Sequence, residues 1–273
     1  MEIHTKIENL ENFIRSLEKV IVGFSGGVDS TLVSFIANKA LGKNALIVLA
    51  KTETILQEDI DLARLISKKF NFNYLEIKYN ELDIENYASN PVNRCYFCKS
   101  ELYSRLEKIA IDQNIKFILD GANLDDLGDY RPGRLAAQEK RILSPLIECK
   151  FTKSDVREAA KILGLPNHDK PAAPCLSSRI PYGMPINQKS LDMIAEGERF
   201  IRQFGFKNVR VRHYGEKAKV EVDKHLVHKL FEMKSLLFQK FNEIGYKEVE
   251  IDPEGFSSGK LNKNIIEKIE IKR

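Results

Sequence analysis

The chain has 273 residues, 43% hydrophobic and 30% charged, with 43 basic against 39 acidic side chains and a net charge of +4. That is enough length and apolar content for one large domain or two modest ones with proper cores. The small, dispersed positive excess excludes the clustered basic face of a typical nucleic-acid binder, no run nears the ~18 apolar residues of a membrane span, and four cysteines (95, 98, 149 and 175) do not make a secreted disulfide framework.

From the N-terminus, MEIHTKIENLENFIRSLEKV lacks the apolar core of a signal peptide, so a cytoplasmic location with no membrane is expected. Ile7, Leu10, Phe13, Ile14 and Leu17 share one helical face, predicting a helix over 5–19. KVIVGFS (19–25) reads as a buried strand and DSTLVSFIANKAL (29–41) as a helix. ALIVLA (45–50) is a second strand, followed by a helix over 56–70 and the strand NYLEIKY. After the cysteine pair of NPVNRCYFCKSELY a helix is expected over about 99–113, then the strand KFILDGAN (116–123). Strands alternating with helices imply βαβ units, hence an α/β fold with a parallel sheet sandwiched by helices and ligands at the strands' C-terminal ends.

Near residue 165 the pattern changes. LPNHDKPAAPCLSSRIPYGMP carries five prolines in 21 residues and cannot be regular structure. A helix over about 187–204, two strands in NVRVRHYGEKAKVEVD around a Tyr-Gly turn, a helix over about 225–244 and EVEIDPEGF then suggest a smaller C-terminal α+β domain. The expected domains are 1–170 and 171–273.

The strongest motif is VGFSGGVDSTLVS, where a strand runs into Ser25-Gly26-Gly27-Val28-Asp29-Ser30 and a helix begins. The glycines let the backbone turn so that N–H groups and the helix N-terminus face an anion. Ser25 and Ser30 add hydroxyl donors, and Asp29 suits helix capping or a metal ion. The motif is neither a Walker A sequence nor a dinucleotide fingerprint. Cys95 and Cys98, taken alone, allow a redox disulfide, half a zinc site, part of an iron–sulfur cluster, or ordinary packing.

SGGVDS after a strand resembles the loop of the N-type ATP pyrophosphatases, or PP-loop enzymes, whose fold is adenine nucleotide alpha hydrolase-like. These enzymes split ATP between its α- and β-phosphates and attach AMP to a substrate oxygen. The resemblance implies an adenine pocket on backbone near Ala50–Thr52. It also implies a magnesium and phosphate role for DGANLDDLGDYRPG, with Gly121, the acidic residues Asp125, Asp126 and Asp129, and Arg131.

Longer strings, DGANLDDLGDYRPG, SPLIECKFTKSDVREAAKILGLP, DKPAAPCLSSRIPYG, RVRHYGEKAKVEVD and DPEGFSSGKLN, resemble the LarE family of ATP-dependent sulfur transferases over about residues 15–262. The implied reaction adenylates the carboxylates of pyridinium-3,5-biscarboxylic acid mononucleotide and converts them to thiocarboxylates for the nickel-pincer nucleotide. ATP and Mg²⁺ are the implied cofactors, and a homo-oligomer is implied.

The family's sulfur-donating cysteine falls on Cys175 in PCLSSR. Where it stands alone, it gives up its own sulfur. Cys95 and Cys98 depart from that version and resemble the subgroup in which three cysteines, here Cys95, Cys98 and Cys175, hold a 4Fe–4S cluster. The fourth iron is then free to carry sulfide from a sulfide donor. Zinc would want a second close pair, and none exists. Catalytic roles for Asp29 and Glu198 and substrate binding by Arg179, Arg210 and Arg212 follow from the same resemblance. Cys149 is expected to pack at a strand end, and His225 and His228 to lie on a helix surface.

Three other readings stay open: a tRNA-thiolating PP-loop enzyme, an amide-forming ligase of the NAD synthetase type, and an ATP sensor without turnover. The first would want a basic RNA-binding face, and the second would not need three cysteines.

Overall fold

A computed structural model describes residues 2–128, 132–171 and 174–257. The chain divides into two compact units, Met1–Ala173 and Pro174–Arg273.

In the first unit, α1 (Ile3–Arg15), β1 (Val20–Phe24), α2 (Val28–Leu41), β2 (Ala45–Lys51), α3 (Gln57–Lys69) and β3 (Asn73–Lys78) follow one another. Then come α4 (Arg94–Asp112), β4 (Phe117–Leu119), α5 (Gly133–Glu139), α6 (Pro145–Glu148) and α7 (Lys153–Ile162). The strands form a parallel sheet in the order β3-β2-β1-β4. Alternate residues enter opposite faces. Val20, Val22, Phe24, Ala45, Ile47 and Leu49 pack with the apolar faces of α1, α2, α3 and α7, whereas Ile21, Leu46 and Val48 pack with those of α4 and α5. A parallel sheet covered on both faces explains why β1 and β2 read as unbroken apolar runs.

The strand order also fixes the place for a ligand. From β1 the chain winds outward to β2 and β3, then returns to lay β4 on the other side of β1. The C-terminal ends of β1 and β4 therefore flank a topological switch point, where α/β sheets open a crevice. The loop 25–30 leaves β1 there, and Gly121 leaves β4 there. β4 is shorter than the expected 116–123, and its outer edge carries one parallel bridge, Leu119 to Leu143, with Leu143 N on Ile118 O at 2.9 Å and Asp120 N on Leu143 O at 3.0 Å. A Cβ on Gly121 would lie 2.7 Å from Ser30 N, so only glycine lets this turn approach the start of α2.

Two other expectations are corrected. Helix α4 begins at Arg94, so Cys95 and Cys98 lie inside it rather than before it. Pro91 opens the preceding turn, its carbonyl accepting from Arg94 N at 3.0 Å, and the helix grows directly from that turn. Cys149 caps the short helix α6 and is not at a strand end.

The second unit holds α8 (Gln188–Arg202), β5 (Val209–Tyr214), β6 (Lys217–Val222), α9 (Val227–Glu232), α10 (Lys234–Ile244) and β7 (Glu248–Ile251). β5 and β6 are antiparallel, and β6 and β7 parallel. The single helix expected over 225–244 is two, broken where Met233 N closes onto Leu230 O at 3.2 Å. Val227, Leu230, Leu237 and Phe241 keep helical spacing across the break, so the apolar pattern carried no sign of it. His225 and His228 are exposed.

Candidate active site

The phosphate loop is held by its own hydroxyls. Ser30 Oγ donates to Gly27 O at 3.1 Å, accepts from Ser25 N at 3.2 Å and lies 3.1 Å from Ser25 Oγ. Thr31 N bonds Gly27 O at 2.9 Å and starts the hydrogen bonding of α2. Gly26 has φ +71°, a conformation natural only to glycine, and its Cβ position lies 3.1 Å from Ala63 Cβ. The loop thus runs into the N-terminus of a 14-residue helix whose first turn carries Asp29.

Asp29 is gripped from two distant parts of the chain. Asn123 Nδ2 donates to its Oδ1 at 3.0 Å, and Lys153 Nζ forms a short ion pair with its Oδ2. Lys153 also donates its backbone N–H to Asp125 Oδ2 at 2.9 Å. Asp126 is the capping partner of Asn123, accepting its N–H at 3.0 Å, and so holds the loop. Ser25, Gly26, Gly27, Asp29, Ser30, Gly121 and Asp125 therefore meet at the switch point. Asp129 and Arg131 lie outside the described residues.

At the end of the neighbouring β2, Ala50 is half-buried and Thr52 buried. The Thr52 hydroxyl lies 3.1 Å from that of Thr54, and Thr54 donates to Glu81 Oε2 at 2.6 Å. Glu81 is 4% exposed and also accepts from Tyr87 OH at 3.0 Å and from Cys98 Sγ at 3.0 Å. Cys98 is half-buried and Cys95 exposed. Their i, i+3 spacing on α4 puts both thiols on one helix face. Beside them the Lys99 ammonium is held above the usual lysine range by its interaction with Tyr103 first, then by Cys98, Asp120 and Cys95, against the cost of burial. The Tyr96 and Phe97 rings meet edge to face at 5.5 Å.

The second unit gathers Cys175, Arg179, Glu198, Arg210 and Arg212. Half-buried Cys175 precedes a turn of 3₁₀-helix, Leu176–Arg179. Arg179, 1% exposed, donates Nε and Nη2 to the two oxygens of Glu198 and Nη1 to the carbonyls of Pro174 and Cys175 at 2.5 and 3.1 Å. Its guanidinium thus fixes the backbone at Cys175. Glu198 has 0% exposure. Burial alone would raise its carboxyl, but Arg179, then Arg202 and Arg210, hold it below the usual carboxylate range.

On β5, Arg210 and Arg212 are both buried. Arg212 donates Nε and Nη2 to Glu221 Oε2 at 3.0 and 2.8 Å and Nη1 to Ser178 O at 3.0 Å. The Arg210 guanidinium lies 5.0 Å from the Phe256 ring, and its pKa falls to about 10 through burial first, then the charges of Arg179 and Arg212. Four arginines, 179, 202, 210 and 212, face two buried carboxylates, Glu198 and Glu221.

The NAD synthase family model matches residues 3–110. An uncharacterized protein of Synechocystis sp. is 40% identical over 263 residues, 96% of this chain and 98% of its own length. The pyridinium-3,5-bisthiocarboxylic acid mononucleotide synthase of Lactiplantibacillus plantarum is 33% identical over 259 residues, 94% of each chain. The chain belongs to the LarE family. As a LarE-family protein it is an ATP-dependent enzyme. Similarity to the NH(3)-dependent NAD(+) synthetase of Wolinella succinogenes is 27% over 167 residues, only 59% of this chain.

Two site residues of this LarE-family chain escaped the sequence reading, Asn123 and Lys153. Asn123 stands inside the quoted acidic string, and Lys153 inside KFTKSD, but no spacing links either to Asp29. For Mg²⁺ the carboxylates of Asp29 and Asp125 are oxygen donors of the right kind. For an iron–sulfur cluster, Cys95 and Cys98 suit the group in donor type and face, with a cation beside them. Among the described residues, however, no three His, Cys, Asp or Glu side chains are placed to hold a metal ion.

Proposed function

We propose that this enzyme converts the carboxylates of pyridinium-3,5-biscarboxylic acid mononucleotide to thiocarboxylates through acyl adenylates. The observation that carries the reading is the phosphate loop at the β1/β4 switch point, with Asp29 held between Asn123 and Lys153. The substrate comes from the name of the Lactiplantibacillus relative, whose similarity spans 94% of this chain, against 59% for the NAD synthetase.

In the first step a substrate carboxylate oxygen attacks the α-phosphorus of ATP, and pyrophosphate leaves. Backbone N–H groups of residues 26–30, the Ser25 and Ser30 hydroxyls and the start of α2 bind the departing phosphates. Lys153 moves its charge from Asp29 to those oxygens. Asp29 and Asp125 would hold Mg²⁺, which would supply charge neutralisation. In the second step a sulfur nucleophile attacks the acyl carbon, and AMP leaves. The arginines of β5 bind the mononucleotide phosphate, and Arg179 with Glu198 fixes the backbone at Cys175.

We assign the sulfur to a 4Fe–4S cluster, which Cys95, Cys98 and Cys175 would hold and which would supply sulfide without consuming the protein. Anaerobic reconstitution should yield about four irons per chain, lost on replacing any one of the three cysteines with alanine. The reconstituted protein is then incubated with ATP, Mg²⁺ and the biscarboxylic mononucleotide. Mass spectrometry should show one sulfur replacing one oxygen at each converted carboxylate. A Cys175 that loses hydrogen sulfide in step with product would overturn the cluster, and an absence of thiolated product would overturn the substrate.

A further inference from the structure

Asn167 lies in the proline-rich segment after α7, outside every motif, yet it is 2% exposed. Its Nδ2 donates to Gly26 O at 2.9 Å and to Thr31 Oγ1 at 2.9 Å, joining residues 141 and 136 positions away. The amide cannot be turned over, because the carbonyl of Gly26 only accepts and so requires the nitrogen. Among the described residues its Oδ1 is buried with no hydrogen-bond partner. A buried side chain whose acceptor is unsatisfied is a costly way to fill space and calls for another reason.

The peptide plane supplies one. In a trans peptide the carbonyl and the following N–H point in opposite directions. Holding Gly26 O toward Asn167 therefore turns the Gly27 N–H to the other side of the loop, where Ser25 Oγ lies 3.4 Å away. Gly26, at φ +71° and without a side chain, is a residue at which such a plane turns over readily. Turned over, the loop would present a carbonyl oxygen to the phosphates instead of an N–H.

We infer that Asn167 is a positioning residue for ATP cleavage, one that locks the Gly26–Gly27 peptide so that its N–H faces the pyrophosphate end of the nucleotide. The role rests on the ATP dependence of the enzyme but not on the identity of its carboxylate substrate. Asn167→Asp keeps the shape and replaces the donor with an oxygen against Gly26 O. Asn167→Ala removes both bonds.

Calorimetric titration of the full chain with inorganic pyrophosphate, ATP and AMP tests the inference. Asn167→Asp is expected to weaken pyrophosphate and ATP binding at least about tenfold and AMP binding less than about twofold. Thr31→Val, which is isosteric and removes one of the two partners, is expected to show the same selectivity at about two- to fivefold, and it carries the test if the Asn167 variants lose their circular-dichroism signature. Equal losses for AMP and pyrophosphate, the mark of a merely structural residue, would overturn the inference. So would unchanged pyrophosphate binding beside intact wild-type binding. A wild-type chain that bound neither ATP nor pyrophosphate would sink the nucleotide reading as well.

Discussion

Arg179 and Glu198 form a two-pronged ion pair, Nε to Oε1 at 2.7 Å and Nη2 to Oε2 at 3.0 Å, with 1% and 0% of their side chains exposed. Breaking a buried pair strands a charge without its partner, at a cost of about 3–5 kcal/mol. Glu198→Gln should lower the stability of the second unit by that order in urea denaturation. The pair also sets a pH dependence. Because the folded carboxyl titrates below its ordinary value of 4.5, its contribution is full above that pH and is lost as acidification passes down through the folded value. Acid unfolding of the Glu198→Gln chain should show a shallower dependence there than wild type.

Lys153 supplies the cation on Asp29. Lys153→Met is expected to slow ATP-dependent pyrophosphate release about a hundredfold, the scale of removing one charged donor from developing phosphate charge. The half-exposed position of this lysine should leave the melting temperature nearly unchanged. A coupled pyrophosphate assay beside a thermal melt separates the two effects.

Gly121 admits no side chain, since a Cβ would sit 2.7 Å from Ser30 N and 3.1 Å from Asp29 C. Both neighbours are backbone and cannot swing aside. Gly121→Ala should cost about 1–3 kcal/mol and push the start of α2 off its position, so that ATP affinity falls with stability. Equilibrium unfolding and ATP titration on the same variant measure both.

His213 is buried on β5 with Nδ1 3.1 Å from Tyr246 OH, and burial depresses its pKa below the ordinary 6.5. The unfolded chain therefore takes up a proton that the folded chain resists. The contribution of this group to stability should fall as pH drops below about 6.5. His213→Gln keeps a partner for Tyr246 but does not titrate, and its urea midpoint should vary less between pH 7 and 5.

The first unit was legible because its signals are local. A run of β-branched residues, two glycines and Asp29 lie within about a dozen positions, and strand–loop–helix follows from them directly. The grip on Asp29 was not legible, because Asn123 and Lys153 arrive from 94 and 124 residues away with no motif to join them. Arg179, Arg210 and Arg212 could be singled out, but not their burial. Arginine is seldom sealed from water, and only the packing of α8 on β5 and the pairing of β5 with β6 show that Glu198 and Glu221 accompany them. Helix α4 starts five residues before the expected 99, because it grows directly from the turn that Pro91 opens.

The carboxylate of Glu81 receives Thr54, Tyr87 and Cys98 together. Its burial makes each donor a debt to the other two, so the end of β2 and the cysteine-bearing helix cannot drift independently. A descendant that gave up Cys98 would need a new donor at that position or a neutral residue at 81. Loss of the second thiol should therefore leave a correlated substitution at residue 81.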